Sequence, residues 1–119
     1  MNAYLAEFIG MALLVLFGNG VVAGVLACTK GHGCGWIVIT AGWAFAVFVG
    51  AFCAAPFSGT HLNPALTIAI ACAGKLAAGK VAGYLGAQML GAFVGGALVY
   101  ACNKGFRLTR ADDFAGVFP

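Results

Sequence analysis

Ser58-Gly59-Thr60-His61-Leu62-Asn63-Pro64-Ala65-Leu66-Thr67 is a polar stretch set in a chain that is otherwise almost uniformly apolar. Asn63-Pro64 reads as a helix start, with Asn63 as N-cap and Pro64 at the first helical position, where a missing N–H is no loss. The apolar run that follows ends at Gly74-Lys75. About ten helical residues cover ~15 Å, half of a ~30 Å hydrocarbon core. A helix that starts at mid-membrane needs an irregular segment before it, over 56–62, inside the bilayer. Such backbone is tolerated only when buried in protein or lining a wet cavity. The stretch therefore predicts a re-entrant loop and half-helix over 56–73, and with them a pore.

The rest of the chain agrees with a membrane setting. Apolar residues make up 63% and charged residues 8%, against about 25% charged in a soluble domain; the mean hydropathy is +1.03. Trp36 to Phe57 and Val81 to Cys102 carry no charge, and each run of about 22 residues is long enough to span. Ala3 to Ala27 is a third run, with Glu7 as its one ionisable group. It lacks a basic leading region and is too long for a cleaved signal, so it reads as a span. The predicted layout is spans over 3–28, 36–55 and 80–102, the re-entrant segment over 56–73, a basic turn over 74–80 and a polar tail over 103–119. The fold class is all-α integral membrane.

Glycine placement indicates how the spans meet. Gly20 and Gly24, Gly91 and Gly95 form GxxxG pairs. Span 2 has Gly42, Ala46, Gly50 and Ala54 four apart, and span 3 has Gly79, Gly83, Ala87, Gly91 and Gly95. Such stripes predict backbone-to-backbone packing, because lipid supplies no hydrophobic drive between helices. Cys53, Cys72 and Cys102 read as small packing residues. Cys28 and Cys34 bracket His32 in the first loop, but the spacing fits no standard zinc pattern. Plain thiols, a disulfide and a metal site stay open there in that order.

Asn63 is the first candidate for function. Its NH2 can donate to whatever occupies the cavity, and the positive end of the half-helix repels cations. That pair suits a neutral, hydroxyl-bearing permeant. Gly59, Thr60, His61 and Leu62 are expected to be extended and to offer a ladder of backbone carbonyls. The Thr60 side chain is a further contact left open. Glu7 has two readings: proton coupling, or acceptance from His61 and the loop N–H groups that have no helical partner. On the second, Glu7→Gln keeps transport. Gln88 reads as an interhelical hydrogen-bonder. Trp43 is either an interfacial tryptophan or a pore wall along which a carbon skeleton slides.

No enzyme arrangement is present, since two histidines and three acids offer no nucleophile–base pair or metal cluster. No cofactor is expected. The net charge of +3 is scattered over loops and does not suggest nucleic acid as a partner. A re-entrant segment leaves Lys75 and Lys80 opposite Lys30, Lys104, Arg107 and Arg110, so the positive-inside bias alone places the amino terminus outside.

Residues 58–67 resemble the first Asn-Pro-Ala loop (Asn63, Pro64, Ala65) of the major intrinsic protein family, the aquaporins and glycerol facilitators. Ala6-Glu7-Phe8-Ile9-Gly10 is similar to the opening of that family's first helix, and Gln88-Met-Leu-Gly-Ala-Phe to its third. The resemblance implies an aquaporin-like first repeat, three transmembrane helices plus one re-entrant half-helix, which is half of an inverted-repeat channel. It implies a cytoplasmic amino terminus, which overrules the charge count, and a homo-tetramer with one pore per subunit in the plasma or inner membrane. It places the donor at Asn63, the carbonyls at Gly59 to Leu62, the first wall of the constriction at Trp43, and the loop brace at Glu7. Tryptophan at that position looks like a glycerol facilitator, passing glycerol, similar small neutral polyols and some water.

The second Asn-Pro-Ala loop and the constriction arginine are absent from this sequence, and Leu66 follows the first motif. The expectation is a piece of a longer channel; an inactive half, or two copies paired antiparallel, are the other readings. A water-selective aquaporin is the alternative within the family. Outside it stands a small dual-topology proton-coupled exporter, suggested by the length near 120 residues and the lone glutamate. That reading needs four full spans, whereas Asn63-Pro64 interrupts one of them.

Overall fold

The computed structural model describes residues 1–26 and 34–103. Its order is α1 (Ala3–Leu26), α2 (Trp36–Ser58), α3 (Pro64–Cys72) and α4 (Ala78–Asn103). Helices α1, α2 and α4 have 24, 23 and 26 residues and are long and apolar enough to cross a membrane. The predicted loop at Cys28 and His32, and the polar tail after Asn103, lie outside the described residues.

The direction of each helix follows from its close approaches. Along α1, Gly10 faces Gly50, Gly18 faces Trp43 and Val21 faces Gly42, so α2 runs antiparallel. Tyr4 faces Gly83, Phe8 faces Gly91 and Ala12 faces Gly95, so α4 runs parallel to α1. A chain that goes up in α1, down in α2 and up again in α4 must leave and re-enter on one side between 59 and 77. The nine residues of α3, ~13 Å long, make that excursion without crossing.

The seams are as tight as backbone allows. A Cβ on Gly91 would stand 2.3 Å from the Phe8 carbonyl oxygen, one on Gly95 2.6 Å from that of Ala12, and one on Gly50 2.7 Å from that of Gly10. Ala46 and Ala54 are buried on the same stripe of α2. Dispersion at such distances is what holds helices together where lipid is as apolar as the side chains. The pair Gly20 and Gly24 departs from the expected pattern. A Cβ at either would meet nothing within 4 Å, as it would at Gly79, because the faces of α1 turned to α2 and α4 are those of Gly10, Gly18, Phe8 and Ala12. Cys72 and Cys102 are exposed, not packing residues, and Cys53 is only half-buried; Cys34 is exposed and free.

The irregular segment is shorter than expected. Helix α2 continues through Pro56 to Ser58 and ends where Gly59 turns left-handed at φ 78. Proline removes one N–H near the end of the helix, but hydroxyls fold back onto its carbonyls. Thr60 Oγ1 donates to Ala51 O at 3.1 Å, and Ser58 Oγ lies 3.2 Å from Ala54 O. The stop signal is therefore the glycine, a left-handed residue just past the helix end, and the break comprises 59–63.

Candidate functional site

The break between α2 and α3 is built on one carboxylate. Glu7 Oε1 accepts from Ser58 Oγ at 2.6 Å and from the His61 N–H at 2.8 Å. Its Oε2 accepts from the Leu62 N–H at 2.7 Å and from Gln88 Nε2 at 2.8 Å. Four donors fill the roughly four lone-pair sites a carboxylate offers, which leaves no place for an acid proton. Glu7, Thr67 and Gln88 are each 0% exposed, so none of these groups has water as an alternative.

Thr67, one turn into α3, ties the half-helix to the same node. Its Oγ1 donates to Asn63 O at 3.0 Å, accepts from Gln88 Nε2 at 3.0 Å and meets His61 Nδ1 at 3.1 Å. With the hydroxyl proton on Asn63 O, His61 carries its own on Nδ1. Tyr84, four residues before Gln88, donates to Ser58 O at 3.1 Å and packs its ring 4.8 Å from that of His61. Gln88 Oε1 has no hydrogen-bond partner; the carboxylate beside Nε2 fixes the amide that way round.

This node imposes an unusual backbone. The expected extended conformation is not what forms, because Gly59, Thr60 and Leu62 all have positive φ, at 78, 59 and 43. For Thr60 and Leu62 that costs roughly 1–3 kcal/mol each. Hydrogen bonds to a charged group, worth roughly 1.5–3 kcal/mol each, offset it. Leftward turns aim successive N–H groups inward at Glu7 and Ser58 Oγ, the latter accepting from the Thr60 N–H at 3.1 Å. Among the described residues no donor reaches the carbonyls of Gly59, Thr60, His61 or Leu62. The Thr60 hydroxyl donates its proton to Ala51 O. The Leu62 side chain wedges between Gly10 and Gly50 in the apolar core with Ala6, Met11 and Ala54.

Asn63 is extended (φ −157) and caps α3 with Oδ1, which accepts from the Ala65 N–H at 2.9 Å and the Leu66 N–H at 3.4 Å. Two backbone donors on the oxygen fix the amide orientation. The residue is exposed, and its NH2 has no partner among the described residues. Pro64 and Ala65 open the helix behind it. Trp43 stands farther along. Leu62 lies against Gly10 and Trp43 against Gly18, eight residues on, or about 12 Å along α1. The indole is half-exposed, and no described residue accepts from its N–H. Among the described residues no three His, Cys, Asp or Glu side chains gather as a metal would need.

Ser58, Thr67 and Tyr84 had no role in the sequence reading. A polar β-branched residue four after an N-cap, and Tyr84-Gln88 on one face of an apolar helix, were the available signals.

A model of the major intrinsic protein family matches residues 1–118. The chain is 52% identical over 101 residues to the probable glycerol uptake facilitator protein of Thermotoga maritima, covering 84% of this chain and 43% of that one. With the glycerol uptake facilitator protein of Bacillus subtilis the identity is 45%, covering 84% and 37%. The X-ray structure of the aquaglyceroporin from Plasmodium falciparum superposes with a TM-score of 0.80 at 37% identity, over 86% of this chain and 41% of that one. The chain thus spans about two fifths of the length of the relatives it matches.

Proposed function

The chain belongs to the major intrinsic protein family and is a multi-pass membrane protein; from that premise we propose that it serves the passive diffusion of glycerol and similar small neutral polyols, with some water, across the cell membrane. The observation that carries this reading is the Asn63 amide, whose oxygen is held by its own helix while its NH2 is left to donate. Beside it runs a row of backbone carbonyls without internal donors. A polyol hydroxyl both donates and accepts, so it can replace its lost hydration on these two kinds of group. The α3 amino end, equivalent to about half a positive charge, disfavours cations at the same point. Trp43 supplies an apolar wall with one donor, suited to a carbon skeleton flanked by hydroxyls. The names of the relatives, glycerol uptake facilitator and aquaglyceroporin, support the same permeant.

Glu7 acts as a structural anchor on this reading, since its acceptor sites are filled by the loop and by Gln88. A cytoplasmic amino terminus and a tetramer with one pore per subunit complete the proposal.

The test is solute entry into proteoliposomes carrying the full gene product. Glycerol entry well above that of empty vesicles, indifferent to a pH gradient, is the expected result. Asn63→Asp keeps the capping oxygen but replaces the donor NH2 with charge, and should abolish glycerol entry in folded protein. Gradient-driven uptake, or full glycerol flux in folded Asn63→Asp, would overturn the assignment.

A further inference from the structure

We infer that Gly18 is a specificity-positioning residue, a notch in α1 that sets how far the Trp43 indole stands out from α2 and so which solutes pass it. This rests on the channel reading above. A Cβ built on Gly18 would lie 2.6 Å from Trp43 Cε3 and Cζ3 and 2.8 Å from Cδ2. Carbon atoms in contact settle at about 3.5–4.0 Å, so the six-membered ring occupies the space a side chain at 18 would fill. A methyl there would require about 1 Å of retreat.

That retreat has one outlet. On one side of Trp43 the seam is closed by Val21 against Gly42, whose added Cβ would come within 2.6 Å of Val21 Cγ1; on the other it is closed by Gly50 against the Gly10 carbonyl. Ala46, one turn after Gly42, is 1% exposed. With the Val21 side chain packed on Gly42 on one side and backbone against backbone at Gly10 and Gly50 on the other, α1 and α2 are held at a fixed separation around the indole. The ring itself must move away from Gly18, and the half-exposed indole has room to do so. Gly18 touches no permeant; it acts through the position of Trp43.

A glycine that merely lets two helices approach would behave differently. Its replacement lowers the amount or stability of the protein and reduces the passage of every solute in proportion. A notch changes the ratio between solutes of different width, and does so only while the ring is present. These outcomes separate in a double-mutant cycle.

Proteoliposomes carrying the full gene product, Gly18→Ala, Trp43→Ala or both are compared for entry of water, glycerol and ribitol, normalised to folded protein. Gly18→Ala is expected to lower the glycerol-to-water ratio roughly ten-fold, equivalent to about 1.4 kcal/mol in a barrier, with ribitol entry lost. Trp43→Ala should raise ribitol entry, and adding Gly18→Ala to it should leave the ratios within about two-fold, a coupling smaller than about 0.4 kcal/mol. A Gly18→Ala protein that folds only when Trp43 is also replaced supports the inference, since the ring is then the obstacle. Proportional loss of all solutes, an equal ratio shift without the indole, or failure to fold in both backgrounds overturns it. Vesicles with the unaltered protein that admit no solute would overturn the channel reading first, and this inference with it.

Discussion

Two regions of this molecule are held by opposite means. Away from Glu7 and Gln88, the seams of α1 with α2 and α4 are made of shape, glycine brought against carbonyl oxygens and against apolar and aromatic side chains. The break at 59–63 is made of polarity, with the N–H groups of Thr60, His61 and Leu62 handed to Ser58 and Glu7. Each contact in a seam is worth little and can be yielded gradually as helices shift. A donor turned away from lipid has no substitute partner, so the node fails at once or not at all.

The sharpest break of that contrast is Glu7→Leu. It strands the His61 and Leu62 N–H groups and one N–H of the Gln88 amide, at about 1–3 kcal/mol for each buried donor, while the Ser58 hydroxyl can turn to Ala54 O. The sum rivals a whole fold stability of roughly 5–15 kcal/mol, so monodisperse protein in detergent should not be recovered. Glu7→Gln is expected to be damaging too, contrary to the reading from sequence, because its NH2 would face two donors at one of the carboxylate positions. Next comes Gly91→Ala, whose Cβ would lie against the Phe8 carbonyl. Overpacking of this kind costs roughly 1–3 kcal/mol, read as an earlier midpoint in a denaturing-detergent titration, with α4 still helical by circular dichroism. Thr67→Val keeps volume but removes the hydroxyl shared by Gln88, His61 and Asn63. A loss of about 1–2 kcal/mol is expected, smaller than for Glu7 because Gln88 keeps its carboxylate bond. Gly20→Ala should have the least effect, within about 0.5 kcal/mol, since its Cβ meets open space. A loss equal to that of Gly91→Ala would reveal a further packing surface on that face of α1.

The two regions also differ in how legible they were. Seam residues repeat every four positions, and an (i, i+4) stripe is visible in one dimension. Stripes on α2 and α4 could be read in this way, whereas Gly20-Gly24 carried the same pattern without facing a helix. Pattern reports that a close approach is permitted; only the crossing of α1 with its neighbours chose Gly10 and Gly18 instead. At the node, Glu7, Gln88 and Asn63 were conspicuous as polar groups in apolar runs. The left-handed turns at Thr60 and Leu62 were not, since neither residue favours them and nothing local calls for them.

From its residues alone this chain determined that it must live in lipid, that three segments span it, and that a helix starts part-way across at Asn63-Pro64. Those are consequences of hydrophobic run length and of proline's missing N–H, which act over a few neighbouring positions. Which oxygen receives which N–H, where α2 stops, and which glycine seats the indole of Trp43 were decided by residues 7, 18, 58, 67 and 88, which lie on four helices. Contacts of such separation depend on how the helices cross, and that geometry exists only once they have packed.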